Sequence, residues 1–129
     1  KIALADPAGA AMFSWFTKCE MKGEGSSITE GIGVARITGN LEGFKPDHAY
    51  RIEDAEFLPI LFDLVREEGL SLGPSSGVNI AGAIRMARDM GPGHTLVTVL
   101  CDAGQRYASK IYDPAFLNAR GLPTPNWMS

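Results

Sequence analysis

The chain has 129 residues, 45% of them hydrophobic and 21% charged, the size and balance of one soluble globular domain or a large part of one. A formal net charge of −3 provides no basic field for nucleic acid or an anionic membrane surface. No apolar run approaches the roughly 20 residues that cross a bilayer, and no secretory signal is legible, so the expected location is the cytoplasm. Two cysteines, Cys19 and Cys101, are too few for a disulfide framework, and neither His48 nor His94 stands near a second metal ligand.

Lys1 leads straight into Ile2-Ala3-Leu4-Ala5, an apolar run closed by Asp6-Pro7. It reads as a strand already under way inside a longer protein. Residues 8–20 are weakly helical, with Phe13, Trp15 and Phe16 crowded together as for core or a subunit contact. Residues 22–27 are a loop by composition, and Gly31-Ile32-Gly33 suits a backbone that turns sharply or approaches another group closely. Residues 49–52 form a short strand. A helix is expected from Asp54, a plausible N-cap, to Glu68, with Gly69 as its stop. Phe57, Leu61, Leu64 and Val65 share one face of it, and Pro59 predicts a kink or a start near Leu58.

Gly73-Pro74-Ser75-Ser76-Gly77 opens a second helix that runs to Met90, with Ile80, Ile84 and Ala87 facing inward and Arg85, Arg88 and Asp89 facing water. Thr95-Leu96-Val97-Thr98-Val99-Leu100 is the clearest strand in the sequence, apolar and β-branched as for a buried parallel strand. It ends at Cys101-Asp102-Ala103-Gly104. A short helix around residues 107–112 and a proline-rich tail carrying Trp127 follow. Strand and helix alternate, so the expected fold class is α/β with a mainly parallel sheet flanked by helices.

In open α/β sheets, ligands bind beyond the carboxyl ends of the strands. Three loops qualify here: the one ending in Gly31-Ile32-Gly33, the Pro74-Ser75-Ser76-Gly77 turn, and Cys101-Asp102-Ala103-Gly104. A helix N-terminus carrying two hydroxyls can hold an anion or a polar heteroatom, although a plain serine cap has the same pattern.

The order Glu-Gly-Ile-Gly, then Glu-Glu-Gly-Leu-x-x-Gly-Pro-Ser-Ser-Gly opening an alanine-rich helix, then a strand ending in Asp-Ala-Gly-Gln-Arg-Tyr resembles the cysteine synthase and cystathionine β-synthase family. These are pyridoxal-phosphate enzymes of the second fold type, with a tryptophan-synthase-β-like architecture. The resemblance runs from about Ile2 to Gly121. It implies that residues 1–129 are the C-terminal portion of the large catalytic domain, the upstream part lying outside this sequence. On that resemblance Ser75 matches the residue that hydrogen-bonds the pyridine nitrogen of pyridoxal phosphate. Gly31, Ile32 and Gly33 match the loop beside substrate and cofactor ring, where a side chain on either glycine would intrude. Cys101 and Asp102 match the strand end near the same nitrogen. Many relatives have proline at the position of Cys101, so this cysteine is a departure, readable either as a small apolar residue or as a tuning group.

The resemblance also implies a chemistry. A neutral hydroxyl at the pyridine nitrogen favours elimination of a β-substituent followed by addition of a nucleophile over transamination. The implied activity is that of a cysteine synthase, an O-acetylserine sulfhydrylase taking O-acetyl-L-serine and sulfide to L-cysteine in a cytoplasmic homodimer. A cystathionine β-synthase or cysteine desulfhydrase-type relative shares these motifs. A non-catalytic piece that only pairs with a partner chain is the alternative of another class. No catalytic residue is assigned: the Schiff-base lysine and the glycine-rich phosphate cup of the family lie upstream, and no lysine here has the family's surrounding motif. Arg36 after the glycine loop reads as a surface arginine, or as a contact for an acidic second substrate.

Overall fold

β1 (Ala3–Pro7) and β2 (His48–Ile52) pair in parallel, Ala3 opposite His48 and Pro7 opposite Ile52. The computed structural model describes residues 1–128. Between the two strands come α1 (Met12–Lys18) and a long connection whose regular structure is one 3₁₀ turn at Gly39–Leu41. After β2 come α2 (Asp54–Glu68), α3 (Pro74–Met90), a 3₁₀ turn at Gly104–Tyr107, α4 (Pro114–Asn118) and a last 3₁₀ turn at Asn126–Met128. The class is α/β with a small parallel sheet and packed helices, as the alternating pattern predicts.

The core forms where α2 and α3 lie against the sheet. Ile52, Phe57, Leu58, Leu61, Val78 and Leu117 are all fully enclosed. Each such side chain stabilises the fold by about 1.5–3 kcal/mol relative to exposure. The α2 helix runs unbroken through Pro59. Its N-cap is Glu53 rather than Asp54. Asp54 instead faces the loop before β2, where its carboxylate accepts hydrogen bonds from the Ser27 hydroxyl and the Ile28 N–H. At the other end, Gly69 N–H and Leu70 N–H donate to the carbonyls of Val65 and Leu64 and close the helix.

The inward face of α3 differs from the expected one. Val78, Ala81, Gly82 and Met86 are buried, whereas Ile84 is exposed. Small residues decide this: a Cβ at Gly82 would stand 2.6 Å from the Ala5 Cβ, so β1 lies almost on the helix backbone. A reading that seeks large apolar residues misses a face built for close approach. Arg85, expected to face water, grips both oxygens of Glu56 and donates to the Arg51 carbonyl, tying α3 to α2 and β2. Tyr50 of β2 donates to Asp89 at 2.7 Å; burial first, and that hydrogen bond second, push its hydroxyl up to about 12.

Two expected elements are corrected. Residues 95–100 are not a strand: they pair with neither β1 nor β2, and Val97 is 91% exposed. A β-branched apolar sequence becomes a strand only when a neighbouring strand accepts its backbone groups, and none lies beside this one. The helix expected at residues 107–112 is replaced by turns, with the helical turn displaced to α4, where Asp113 accepts from the Ala115 N–H at 2.9 Å and Pro114 stands at the first helical position.

Candidate functional site

The first turn of α3 carries the two serines, and the structure separates them. The N-cap is Gly73, so neither serine caps the helix. Ser76 is fully buried, and its hydroxyl accepts from the Cys101 N–H at 2.8 Å. Ser75 is 8% exposed, yet its hydroxyl has no hydrogen-bond partner among the described residues. No enclosed side-chain oxygen or nitrogen lacks a partner among the described residues, so the Ser75 oxygen itself still reaches solvent at the cleft wall and is open to a ligand. Its surroundings add the free N–H groups and partial positive charge of a helix start.

Ser75 lies in the wall of a cleft of about 230 Å³, with Gly31 and Ile32 on one side and Cys101 and Asp102 on another. Five of the six residues expected at the site are thus brought together. The sixth, Gly33, faces a neighbouring cleft beside Pro7 and Ala10, and Ile32 reaches both. Gly33 also has a φ of +81°, and a Cβ there would meet the Ala10 Cβ at 2.6 Å. Backbone and packing both require that glycine. Gly31, with φ of +70°, has open space where a side chain would go.

Polar ties hold the cleft together. The Asp102 carbonyl accepts from the Gly73 N–H at 2.7 Å, joining residue 102 to the helix cap. The Asp102 carboxylate accepts from the Tyr107 hydroxyl at 2.7 Å. That bond, followed by burial, raises the tyrosine above its ordinary value. Tyr112 reinforces the same segment, donating to the Leu72 carbonyl at 2.7 Å and accepting from the Leu72 N–H. At the rim, Lys110 pairs with Glu30; both side chains are exposed, so the pair is worth little in stability. Cys101 is a free, exposed thiol beside Asn79.

Tyr107, Arg106 and Glu30 also border the cleft and were not singled out from the sequence. The signal for Tyr107 was the string Asp-Ala-Gly-Gln-Arg-Tyr itself, in which the turn folds a hydroxyl back onto the carboxylate five residues before it. Arg36 is exposed and borders neither cleft, in keeping with a surface arginine. Phe13, Trp15 and Phe16 are half-buried; Phe16 meets Phe44 edge to face at 5.7 Å, and none of the three borders the Ser75 cleft. Among the described residues there is no cluster of metal-ligating side chains and no helix long and apolar enough to cross a membrane.

No family model matches the sequence. Individual proteins do. The chain is 37% identical over 134 residues to cysteine synthase 2 of Schizosaccharomyces pombe, an alignment covering 94% of this chain and 34% of that protein. It is 42% identical over 92 residues to the cysteine synthase of Dictyostelium discoideum, covering 71% of this chain and 24% of that one. Among solved structures, the O-acetylserine-dependent cystathionine β-synthase of Helicobacter pylori matches with a TM-score of 0.72 and 28% identity, over 84% of this chain and 33% of that one. The chain therefore spans about a third of the length of the curated relatives it matches.

Proposed function

We propose that residues 1–129 are the C-terminal portion of the single catalytic domain of a pyridoxal-phosphate-dependent cysteine synthase, whose complete form makes L-cysteine from O-acetyl-L-serine and sulfide. What supports the reading is Ser75, nearly enclosed, unpartnered, and set in a cleft with Gly31, Ile32, Cys101 and Asp102. A neutral hydroxyl with no competing partner fits the nitrogen edge of a pyridine ring. The bound cofactor would supply an electron sink for exchange of a β-substituent. Ser75 would hold the ring nitrogen without donating a full proton to it. Asp102 is the carboxylate of the loop beside Ser75, and its bond from Tyr107 keeps it engaged elsewhere. Gly31 and Ile32 would border the amino-acid substrate, Gly31 leaving room because it has no side chain. A cytoplasmic homodimer is the assembly this reading carries.

Ser75→Ala and Ser75→Asp in the complete protein test it. Alanine should keep most cofactor binding, since one hydrogen bond to a neutral nitrogen is worth about 0.5–1.5 kcal/mol. Aspartate should shift the cofactor absorption and slow cysteine formation at least tenfold. Spectra and turnover identical to the parent in both variants would leave Ser75 as a packing residue.

The Helicobacter pylori match favours a second reading, in which homocysteine replaces sulfide as the nucleophile. Supplying both nucleophiles in competition and measuring cysteine against cystathionine separates the two.

A further inference from the structure

The backbone after residue 101 is fixed to the start of α3. Gly73 N–H donates to the Asp102 carbonyl at 2.7 Å, Gly104 N–H donates to the Ser71 carbonyl at 2.9 Å, and Leu72 and Ala103 form an antiparallel bridge between them. The Asp102 side chain stands beside the helix cap, since a Cβ at Gly73 would lie 3.3 Å from its own Cβ. Asp102 is exposed and borders the same cleft as Ser75. Among the described residues one side chain holds its carboxylate, the Tyr107 hydroxyl, which donates at 2.7 Å. Tyr107 is 3% exposed and its ring is packed against Gly73, so the phenol is not free to follow the carboxylate elsewhere. That bond first, and burial second, hold the hydroxyl above its ordinary value, so it stays a donor through neutral pH. The other charged groups at the cleft are Glu30, paired with Lys110, and Arg106, which forms no ion pair with Asp102 among the described residues.

We infer that Tyr107 is a positioning residue for the proposed exchange reaction: by holding the Asp102 carboxylate against its own turn, it keeps a full negative charge away from the ring-nitrogen edge that Ser75 would meet. The inference rests on the cofactor reading and adds to it the residue that sets how strong an electron sink the ring becomes. An opposite charge close by stabilises the charged form of a titrating group, so a carboxylate released beside a pyridine nitrogen would favour the protonated ring. The uncharged Ser75 hydroxyl exerts no such pull. Because the Asp102 backbone is pinned to Gly73, release of its carboxylate needs only rotation of the side chain within the cleft it shares with Ser75. Tyr107 therefore decides whether the nitrogen finds a neutral hydroxyl or a carboxylate. A phenol suits this task. It gives the carboxylate a charge-assisted hydrogen bond, stronger than one between neutral groups, without placing a cation in the cleft.

Tyr107→Phe in the complete protein removes the hydroxyl and leaves the ring in place. Absorption of the bound cofactor should then change with pH across the neutral range, where that of the parent stays constant. The kcat for cysteine formation should fall about tenfold with KM held within about twofold, the pattern of a change in the chemical step. Adding Asp102→Asn to Tyr107→Phe should return the absorption to the parent form, because an amide carries no charge. A tyrosine with a packing role alone would give no such reversal. Asp102→Asn by itself leaves the buried tyrosine intact and so reports even where Tyr107→Phe fails to fold: parental absorption supports the inference, and shifted absorption overturns it, since the carboxylate would already act on the ring. A folded Tyr107→Phe with parental absorption also overturns it, the freed carboxylate having turned to Arg106 or to water. So does a shift that Asp102→Asn does not reverse. The Ser75 variants separate the two readings. If they alter the spectrum while Tyr107→Phe does not, the positioning role falls and the cofactor reading stands; if neither site alters it, both fall.

Discussion

The buried Ser76 hydroxyl accepts from the Cys101 N–H, while Ser75 beside it keeps an unpartnered hydroxyl at the cleft wall. Ser76→Ala should therefore lower folding stability by about 0.5–1.5 kcal/mol, the net worth of that hydrogen bond. Ser75→Ala should leave stability within about 0.5 kcal/mol, as substitutions free of such features do. Denaturant unfolding of both variants checks the contrast. Asp6 allows a pH prediction. It is 2% exposed and accepts from the Phe13 N–H at 2.8 Å, which secures the start of α1. Burial raises its carboxyl above 3.8 despite the opposing hydrogen bonds from Phe13 and Met12. The folded chain thus holds this proton more tightly than the unfolded one. The resulting stabilisation is complete below 3.8 and is lost as pH rises through the raised folded value. Stability of Asp6→Asn, measured relative to the parent, should rise with pH over that window; a constant difference would contradict the assignment. That Ser75, Cys101 and Asp102 share a cleft was legible because the helix start and the loop after residues 95–100 are written in local sequence, although those residues are not paired as a strand. Tyr107 was not, because its bond to Asp102 depends on how the intervening turn folds.

α3 is held at its first turn by a close approach as well as by hydrogen bonds. A Cβ at Gly73 would stand 2.6 Å from the Tyr107 ring and 3.3 Å from the Asp102 side chain. Gly73→Ala should force these apart, weaken the Gly73–Asp102 bond and cost about 1–3 kcal/mol, as overpacking does. Thermal unfolding, with the loss of Tyr107 burial followed by its fluorescence, measures this. The position and extent of α2 and α3 were legible from caps, glycine stops and periodicity. The buried stripe of α3 was not, since contact through Ala81 and Gly82 is a property of what lies opposite, and sequence does not say what lies opposite. Residues 95–100 make the same point in reverse. Their strand pattern is plain, but a strand is a relation between two segments, and the described chain holds only one of them.

The architecture as a whole was readable as α/β because strand and helix alternate, but the number of paired strands was not. The two strands present are joined by a connection in which residues 19–47 form little regular structure, and their pairing also joins Ile2 to Asp47 across 45 residues. α2 and α3, by contrast, are separated by a short turn and meet along Phe57, Leu61 and Gly77. That difference in chain distance sets an order in time. Contacts between sequence neighbours form after little search, whereas joining β1 to β2 must first close a long loop against its entropy. The α2–α3 hairpin should gather within the earliest phase of refolding, with β1 docking onto Gly82 only later. Pulsed hydrogen exchange during refolding reads this directly: amides of residues 57–64 and 78–88 should become protected before those of residues 3–7. Simultaneous protection would mean that the long loop is already drawn together in the unfolded chain. If the order holds, a nascent chain carries the helix that bears Ser75 as a preformed unit, waiting for its sheet.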